Sequence, residues 1–269
     1  MTEPLPRLTV ALTFDHDAIS DSVRRGDPPV KLSHAEFGPR VGAPRILELL
    51  ARHGITSTWF VPGHTLEAFP DSTAAILAGG HELASHGWYH EDFAELSAGA
   101  QRDILRQSFE ALERAAGVPP TGWRAPYWSL GRQTLELVAA AGFRYDSSLM
   151  FDDYRVSRVP AGLAGSAGEL VEVPVYWALD DWPLFEPAPE RGRDGLAAPS
   201  KVLEIWTDEL RYAWGHAAGG LLTVTMHPEC IGRGHRMAML ERFIESATSL
   251  DGVAFSRLDR YLESWWATS

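Results

Sequence analysis

The chain has 269 residues, 45% of them apolar and 22% charged, which is ordinary globular composition with enough apolar residues for a substantial core. Twenty-four basic against thirty-six acidic residues give a net charge of −12, which disfavours nucleic acid or an anionic membrane surface as a partner. One cysteine, Cys230, excludes an intrachain disulfide, and Met1 to Arg7 lacks the basic and apolar regions of an export signal, so a cytoplasmic protein is expected. No apolar run approaches the ~18 residues of a membrane span.

In chain order, Leu8 to Phe14 reads as a buried strand that ends in Asp15-His16-Asp17. The segment from Ala18 to Gly42, rich in Gly, Pro and charge, is too long for a plain connection; it is expected to cover a site or to join subunits in a homo-oligomer. Pro44 to His53 carries Ile46, Leu47, Leu49 and Leu50 on one face and stops at Gly54, as a helix should. A second strand follows at Ile55 to Val61, then a short helix from Pro70 to Ala78 and a third strand at His81 to Ala84. Ser97 to Ala116 is a long helix.

Gly122 to Tyr127 reads as a short strand and turn, Arg132 to Ala141 as a helix, Phe143 to Ser147 and Leu170 to Trp177 as strands. A second excursion opens at Asp180 and runs to Pro199. The helix from Ser200 to His216, the strand Leu221 to Met226, a helix near 235–248, a short strand at Val253 to Phe255 and a final helix complete the pattern. No repeat, low-complexity tract or linker interrupts it, and a single catalytic domain over 1–269 is expected. Alternating strands and helices point to an α/β fold, a deformed (β/α) barrel with seven or eight strands. A doubly wound nucleotide-binding sheet is disfavoured because no Gly-rich fingerprint follows the first strand.

The polar residues of interest share one end of those strands, where a parallel barrel keeps its site. His86 and His90, four apart around Gly87, suit a metal either on a helical turn or in a tight loop, and a third ligand is available from Asp15 or Asp17. Residues i and i+2 of a strand share a face, so both aspartates can reach the histidines; one can ligate while the other stays free as a base. The competing reading is a strand end capped by solvated aspartates. Arg124, Tyr127, Asp180, Asp181 and His227 follow later strands at the same end.

Thr13-Phe-Asp-His-Asp17, Ser85-His86 with His90, Arg124-Ala-Pro-Tyr127 and Met226-His-Pro228 resemble, in order and spacing, the motifs of the polysaccharide deacetylase (NodB homology, carbohydrate esterase 4) family. The resemblance implies a deformed barrel and one divalent metal ion, usually Zn2+, held by Asp17, His86 and His90, with Asp15 as base. It places His227 at the general acid, Arg124 at the residue that orients the base, and Tyr127 where a backbone N–H holds the oxyanion. Trp88, Trp128, Asp181 and Trp182 are the further candidates for substrate contact.

The sequence departs from the usual pattern of two adjacent aspartates followed by glycine: His16 separates them and Ala18 follows. That variant resembles a cytoplasmic branch of peptidoglycan-deacetylase-like proteins, cyclic imide hydrolases and allantoinase-like enzymes. The expectation is therefore a metal-dependent hydrolase of carbon–nitrogen bonds other than peptide bonds, acting on a small amide or cyclic imide. Deacetylation of N-acetylated sugars or peptidoglycan is the alternative. Two other classes compete: an iron oxygenase using the same two histidines and a carboxylate, disfavoured by the spare base and acid, and a non-catalytic binding protein on this scaffold. His16, His64, His81 and His235 are expected to be structural, and Cys230 a small buried hydrophobe.

Overall fold

A computed structural model describes residues 6–160, 163, 170–187 and 196–267. Its strands are β1 (Leu8–Asp15), β2 (Thr58–Val61), β3 (Glu82–Ser85), β4 (Gly122–Trp123), β5 (Tyr145–Asp146), β6 (Ser157–Arg158), β7 (Val171–Glu172), β8 (Gly220–Met226) and β9 (Val253–Phe255). They form one sheet in the order β6-β7-β5-β4-β3-β2-β1-β8, with β9 beside β1. All eight residues of β1 are buried, as expected of a strand covered on both faces. Along one edge β8 pairs with it from Leu8–Gly220 to Phe14–Met226. The other edge is divided: β9 takes Leu8 to Val10, and β2 takes Thr13 to Asp15.

Every pairing is parallel except β6 with β7, and the sheet curls into the expected deformed barrel. Among the described residues the path holds eight strands, with β9 off it beside β1; β6 is a two-residue antiparallel rung too short to show in a hydrophobic pattern. The strands expected at Phe143 to Ser147 and Leu170 to Trp177 contract to two residues each. Trp177 to Leu179 is a 3₁₀ turn instead, and Asp180 then bridges to Thr225 beside β8.

The helices are α1 (Ser20–Arg25), α2 (Pro29–Phe37), α3 (Ala43–His53), α4 (Gly63–Ala68), α5 (Pro70–Ala78), α6 (Ala98–Ala116), α7 (Thr134–Ala140), α8 (Asp181–Phe185), α9 (Pro199–His216), α10 (Pro228–Ile231), α11 (Gly234–Thr248) and α12 (Leu258–Trp266). The main core joins Phe14 and Trp59 of the sheet to Ile46 and Leu50 of α3, Trp206 of α9 and Phe243 of α11. Each such side chain contributes about 1.5–3 kcal/mol on burial. Inside the curl, Ala11, Phe60, Tyr145 and Leu221 meet Leu258, Tyr261 and Leu262 of α12.

That last helix is tied to the starts of β2 and β3: Leu258 N–H donates to Thr58 Oγ1 and Asp259 N–H to Glu82. It plugs the N-terminal end of the barrel, leaving the C-terminal strand ends as the place for a site. The 18–42 segment folds into α1, α2 and a π-helical turn at Gly38–Gly42, a conformation that is rare and concentrated at functional sites. A Cβ on Gly42 would lie 2.1 Å from the carbonyl oxygen of Pro228, so only glycine lets this turn press against α10. Among the described residues no helix is long and apolar enough to cross a membrane.

Candidate active site

Strand alternation builds the first half of the site. Asp15 ends β1 and Asp17 lies two residues on, both turned to the same side and nearly closed to solvent. His16 points the other way, its Nε2 3.0 Å from Ser72 Oγ and its ring edge-on to Trp59. The second half comes from the loop after β3. Gly87 and His90 both have positive φ, 73° and 59°, which turns the chain tightly enough to bring the two imidazoles to 4.9 Å between centroids. Glu91 fixes that loop by accepting from the N–H groups of Trp88 and Tyr89. The two histidines therefore meet through the tight loop, not on a helical turn.

One ligand atom each of Asp17, His86 and His90 lies within 4.8 Å of the others. His86 Nδ1 is 2.9 Å from the carbonyl oxygen of Arg124, which can only accept, so the ring proton sits on Nδ1 and the Nε2 lone pair faces inward. It faces carboxylates, with Asp17 Oδ1 at 3.5 Å and Asp15 Oδ2 at 3.8 Å; His90 Nε2 lies 3.3 Å from Asp17 Oδ2. Asp17 Oδ1 is buried with no hydrogen-bond partner among the described residues. A lone pair aimed at an orphaned carboxylate oxygen is repulsive unless a cation stands between them, so the donor set fits a divalent metal.

The protonation tendencies agree. Burial pushes His86 down to about 4 and His90 well below its usual value, which keeps both imidazoles in the neutral, ligating form. Burial, with help from Glu229, Asp15 and Asp21 and against His227, pushes the Asp17 carboxyl well above the usual range. A dication among these three residues would reverse that shift.

Asp15 is held differently. Arg124, fully buried at the end of β4, donates from Nη1 to Asp15 Oδ1 at 2.6 Å and to Thr13 Oγ1 at 3.1 Å. Its Nε and Nη2 donate to the carbonyl and hydroxyl of Ser147, and its guanidinium lies 3.9 Å above the Phe60 ring. Burial alone would raise the Asp15 carboxyl; the charge and hydrogen bond of Arg124, with the charge of His227, outweigh it and hold the group below its usual value. Asp15 thus stays an anion without being a member of the metal-capable trio.

Across the site His227 Nε2 lies 4.0 Å from Asp15 Oδ2. Its Nδ1 is 2.8 Å from Asp181 Oδ1, and its backbone N–H also donates to Asp181. Burial opposes the imidazolium, but the Asp181 hydrogen bond and the charges of Asp181, Asp180 and Asp17 raise His227 well above its usual value. Asp181 is fully enclosed beneath the imidazole, so it acts on His227 rather than on a substrate. Asp180 caps α8 through the N–H of Trp182. Asp180, Asp181 and His227 are a second group with metal-ligand spacing, but His227 Nδ1 is already committed to Asp181.

The remaining candidates divide. Tyr127, φ 58°, has its ring 4.3 Å from that of His90, and its hydroxyl accepts from Arg24 of α1. Trp128, φ 51°, leans on the exposed Trp177 at 4.6 Å, and the Trp182 ring is 5.1 Å from His227. Among the described residues, the non-glycine positions with positive φ are Ala18, His90, Tyr127 and Trp128; three of them belong to the site loops and Ala18 directly follows Asp17. Trp88 stands apart: its ring packs against Gly63 in the main core, where a Cβ would approach to 2.1 Å. The 18–42 segment covers the site edge, with Ser20 bonded to His64 and Thr65, and Thr65 to the Asp17 carbonyl.

Glu229 escaped the sequence reading. It is buried two residues beyond His227, one carboxyl oxygen lacks a partner among the described residues, and burial pushes it up to about 8 despite His227. Its place in His227-Pro-Glu229 was the available signal.

The model of the family described as polysaccharide deacetylase matches residues 2–145. A peptidoglycan deacetylase of Helicobacter pylori is 30% identical over 271 residues, spanning 91% of this chain and 92% of that protein. A Mycobacterium smegmatis protein of known structure, assigned to the polysaccharide deacetylases, is 37% identical with a TM-score of 0.89, over 99% of this chain and 93% of its own. The Puue allantoinase shares the fold, with a TM-score of 0.85 at 24% identity, over 98% of this chain and 91% of its own. With a family model over more than half its length and a relative that it matches almost end to end, the chain belongs to the polysaccharide deacetylase family and is a hydrolase of that family.

Proposed function

We propose that this hydrolase is a metal-dependent N-deacetylase that cleaves the amide of an N-acetylated sugar of the peptidoglycan kind, with one divalent cation, Zn2+ first among candidates, held by Asp17, His86 and His90. The sequence put a small amide or cyclic imide first. The relatives' names support the reverse order, since the Helicobacter pylori protein is a peptidoglycan deacetylase by name. The observation that carries the chemistry is the pairing of an anionic Asp15, held by Arg124, with His227 4.0 Å away beside the trio.

When bound, the cation supplies Lewis acidity, polarising the acyl oxygen and lowering the pKa of the attacking water. Asp15 takes a proton from that water as its oxygen bonds to the acyl carbon, and Arg124 keeps the carboxylate charged and aimed. The Tyr127 backbone N–H helps hold the oxyanion that forms. His227, kept protonated by Asp181, then gives its Nε2 proton to the leaving nitrogen as the C–N bond breaks, leaving acetate and a free amine. Trp128 and Trp182 offer aromatic faces to the substrate. Because these side chains come from both halves of the sequence, 1–269 is read as one catalytic domain.

The second reading, a small amide or cyclic imide, is favoured by the Asp-His-Asp spacing and by the enclosure of the site, where Asp15 keeps only 3% of its surface exposed. The two are separated by incubating metal-loaded protein with N-acetylglucosamine oligomers and peptidoglycan fragments, followed by acetate release, and with succinimide, hydantoin and allantoin, followed by ring opening. Acetate release is expected. Ring opening alone would replace the deacetylase reading, and turnover of neither class would favour a binding protein.

A further inference from the structure

Behind Arg124 lies an acid pair for which the reaction has no direct use. Asp146 ends β5 and Glu172 ends β7, strands that pair with Asp146 opposite Glu172, and both side chains are 1% exposed or less. Glu172 Oε1 accepts from two consecutive N–H groups, Ser148 at 3.0 Å and Leu149 at 2.8 Å. Asp146 Oδ1 accepts from the Ser148 hydroxyl at 2.7 Å, and Ser148 Oγ in turn accepts from the N–H of Ala125. Asp146 Oδ2 and Glu172 Oε2 are each buried with no hydrogen-bond partner among the described residues.

Two buried carboxylates on directly paired residues repel strongly, and one proton carried between their two unpartnered oxygens removes the repulsion and satisfies both. Burial first, and then Asp146, pushes the Glu172 carboxyl well above the usual range, so Glu172 is the carrier. Its Oε1 is occupied as an acceptor, which leaves Oε2–H for Asp146. The turn these groups shape, 147–149, supplies the carbonyl and hydroxyl of Ser147, which take two of the Arg124 donors.

We infer that Asp146 and Glu172 share one proton, and that this acid pair fixes the 147–149 turn and, through Ser147, the aim of Arg124 at Asp15. Glu172 is thus a positioning residue. The inference rests on the proposed roles of Asp15 and Arg124 for its effect on turnover, but not for the pair itself. Glu172→Gln keeps an acceptor for the two N–H groups and an N–H for Asp146. Glu172→Met keeps the bulk and loses both.

Infrared spectra in mildly alkaline buffer, in H2O and D2O, test the pair. Wild type should show a protonated-carboxyl band that disappears in Glu172→Gln and also in Asp146→Asn, where the amide supplies the shared hydrogen and Glu172 ionises. A band unchanged in both variants would overturn the inference. In turnover, Glu172→Gln should stay within about twofold of wild type, whereas Glu172→Met should lose about tenfold or more in kcat with metal content and KM unchanged. Its acid limb should move to higher pH, as Arg124 no longer holds Asp15. A normal kcat and pH profile in Glu172→Met would remove the positioning role. If that variant fails to fold, the infrared comparison of the two amide variants decides. If wild type hydrolyses neither amides nor imides, the functional reading fails, while the infrared result still decides the pair.

Discussion

Arg124 Nη1 stands 2.6 Å from Asp15 Oδ1 with neither side chain open to solvent, so the charge of the aspartate is sustained by the arginine and not by water. Removing the arginine leaves a buried carboxylate uncompensated. Arg124→Met should destabilise the fold by about 3–5 kcal/mol, read from denaturant unfolding.

The pair also predicts a pH dependence. The folded carboxyl of Asp15 is held below its usual value, so its contribution to stability is present above the unfolded carboxylate pKa and is lost as pH falls through the lower folded value. In Arg124→Lys, which keeps a charge but not the four-way fork, the acid limb of kcat/KM should move upward. An unmoved limb would mean that Asp15 is not the group titrating there.

His86→Ala and His90→Ala should each strip the metal while leaving a folded protein, measured by elemental analysis and circular dichroism. Both rings are buried and neutral, and each supplies one inward Nε2. Unchanged metal content in both variants would move the centre elsewhere, with Asp180, Asp181 and His227 the next group to test.

Asp181→Asn removes the charge that most raises His227. The folded imidazole is held above its usual value, so the stability it contributes is complete below the unfolded histidine pKa and is lost as pH rises through the folded one. The variant should lose that stabilisation at neutral pH, and the alkaline limb of its rate should shift to lower pH. His227→Ala should lower kcat by about 10² to 10⁴ with metal retained.

Much of the site was legible because its logic is local. A strand running into Asp-x-Asp puts both carboxylates on one face whatever the rest of the fold does, and Gly87 between two histidines permits the tight loop observed. Arg124 and His227 were legible from their place after strands. What escaped depends on contacts distant in sequence. Nothing near Asp146 announces that Glu172, 26 residues on, will share its pocket. Trp88 sits between two site histidines, yet the absence of a side chain at Gly63 draws its ring into the core. The short β5 and β7 were over-extended because beyond them the chain keeps single backbone bonds, such as Ser147 N–H to Trp123 and Val175 N–H to Leu149, without a continuous ladder.

The central claim is the division of labour within Asp15-His16-Asp17, and it is tested by preparing Asp15→Asn and Asp17→Asn side by side and measuring metal content and acetate release on both. Asp17→Asn should lose metal. Asp15→Asn should keep a full complement and lose about 10² to 10⁴ in kcat, because the metal-capable trio survives while the proton acceptor is gone. An Asp15→Asn protein that binds metal and turns over at a near-normal rate would contradict the mechanism, and one that loses metal while Asp17→Asn retains it would reverse the two roles.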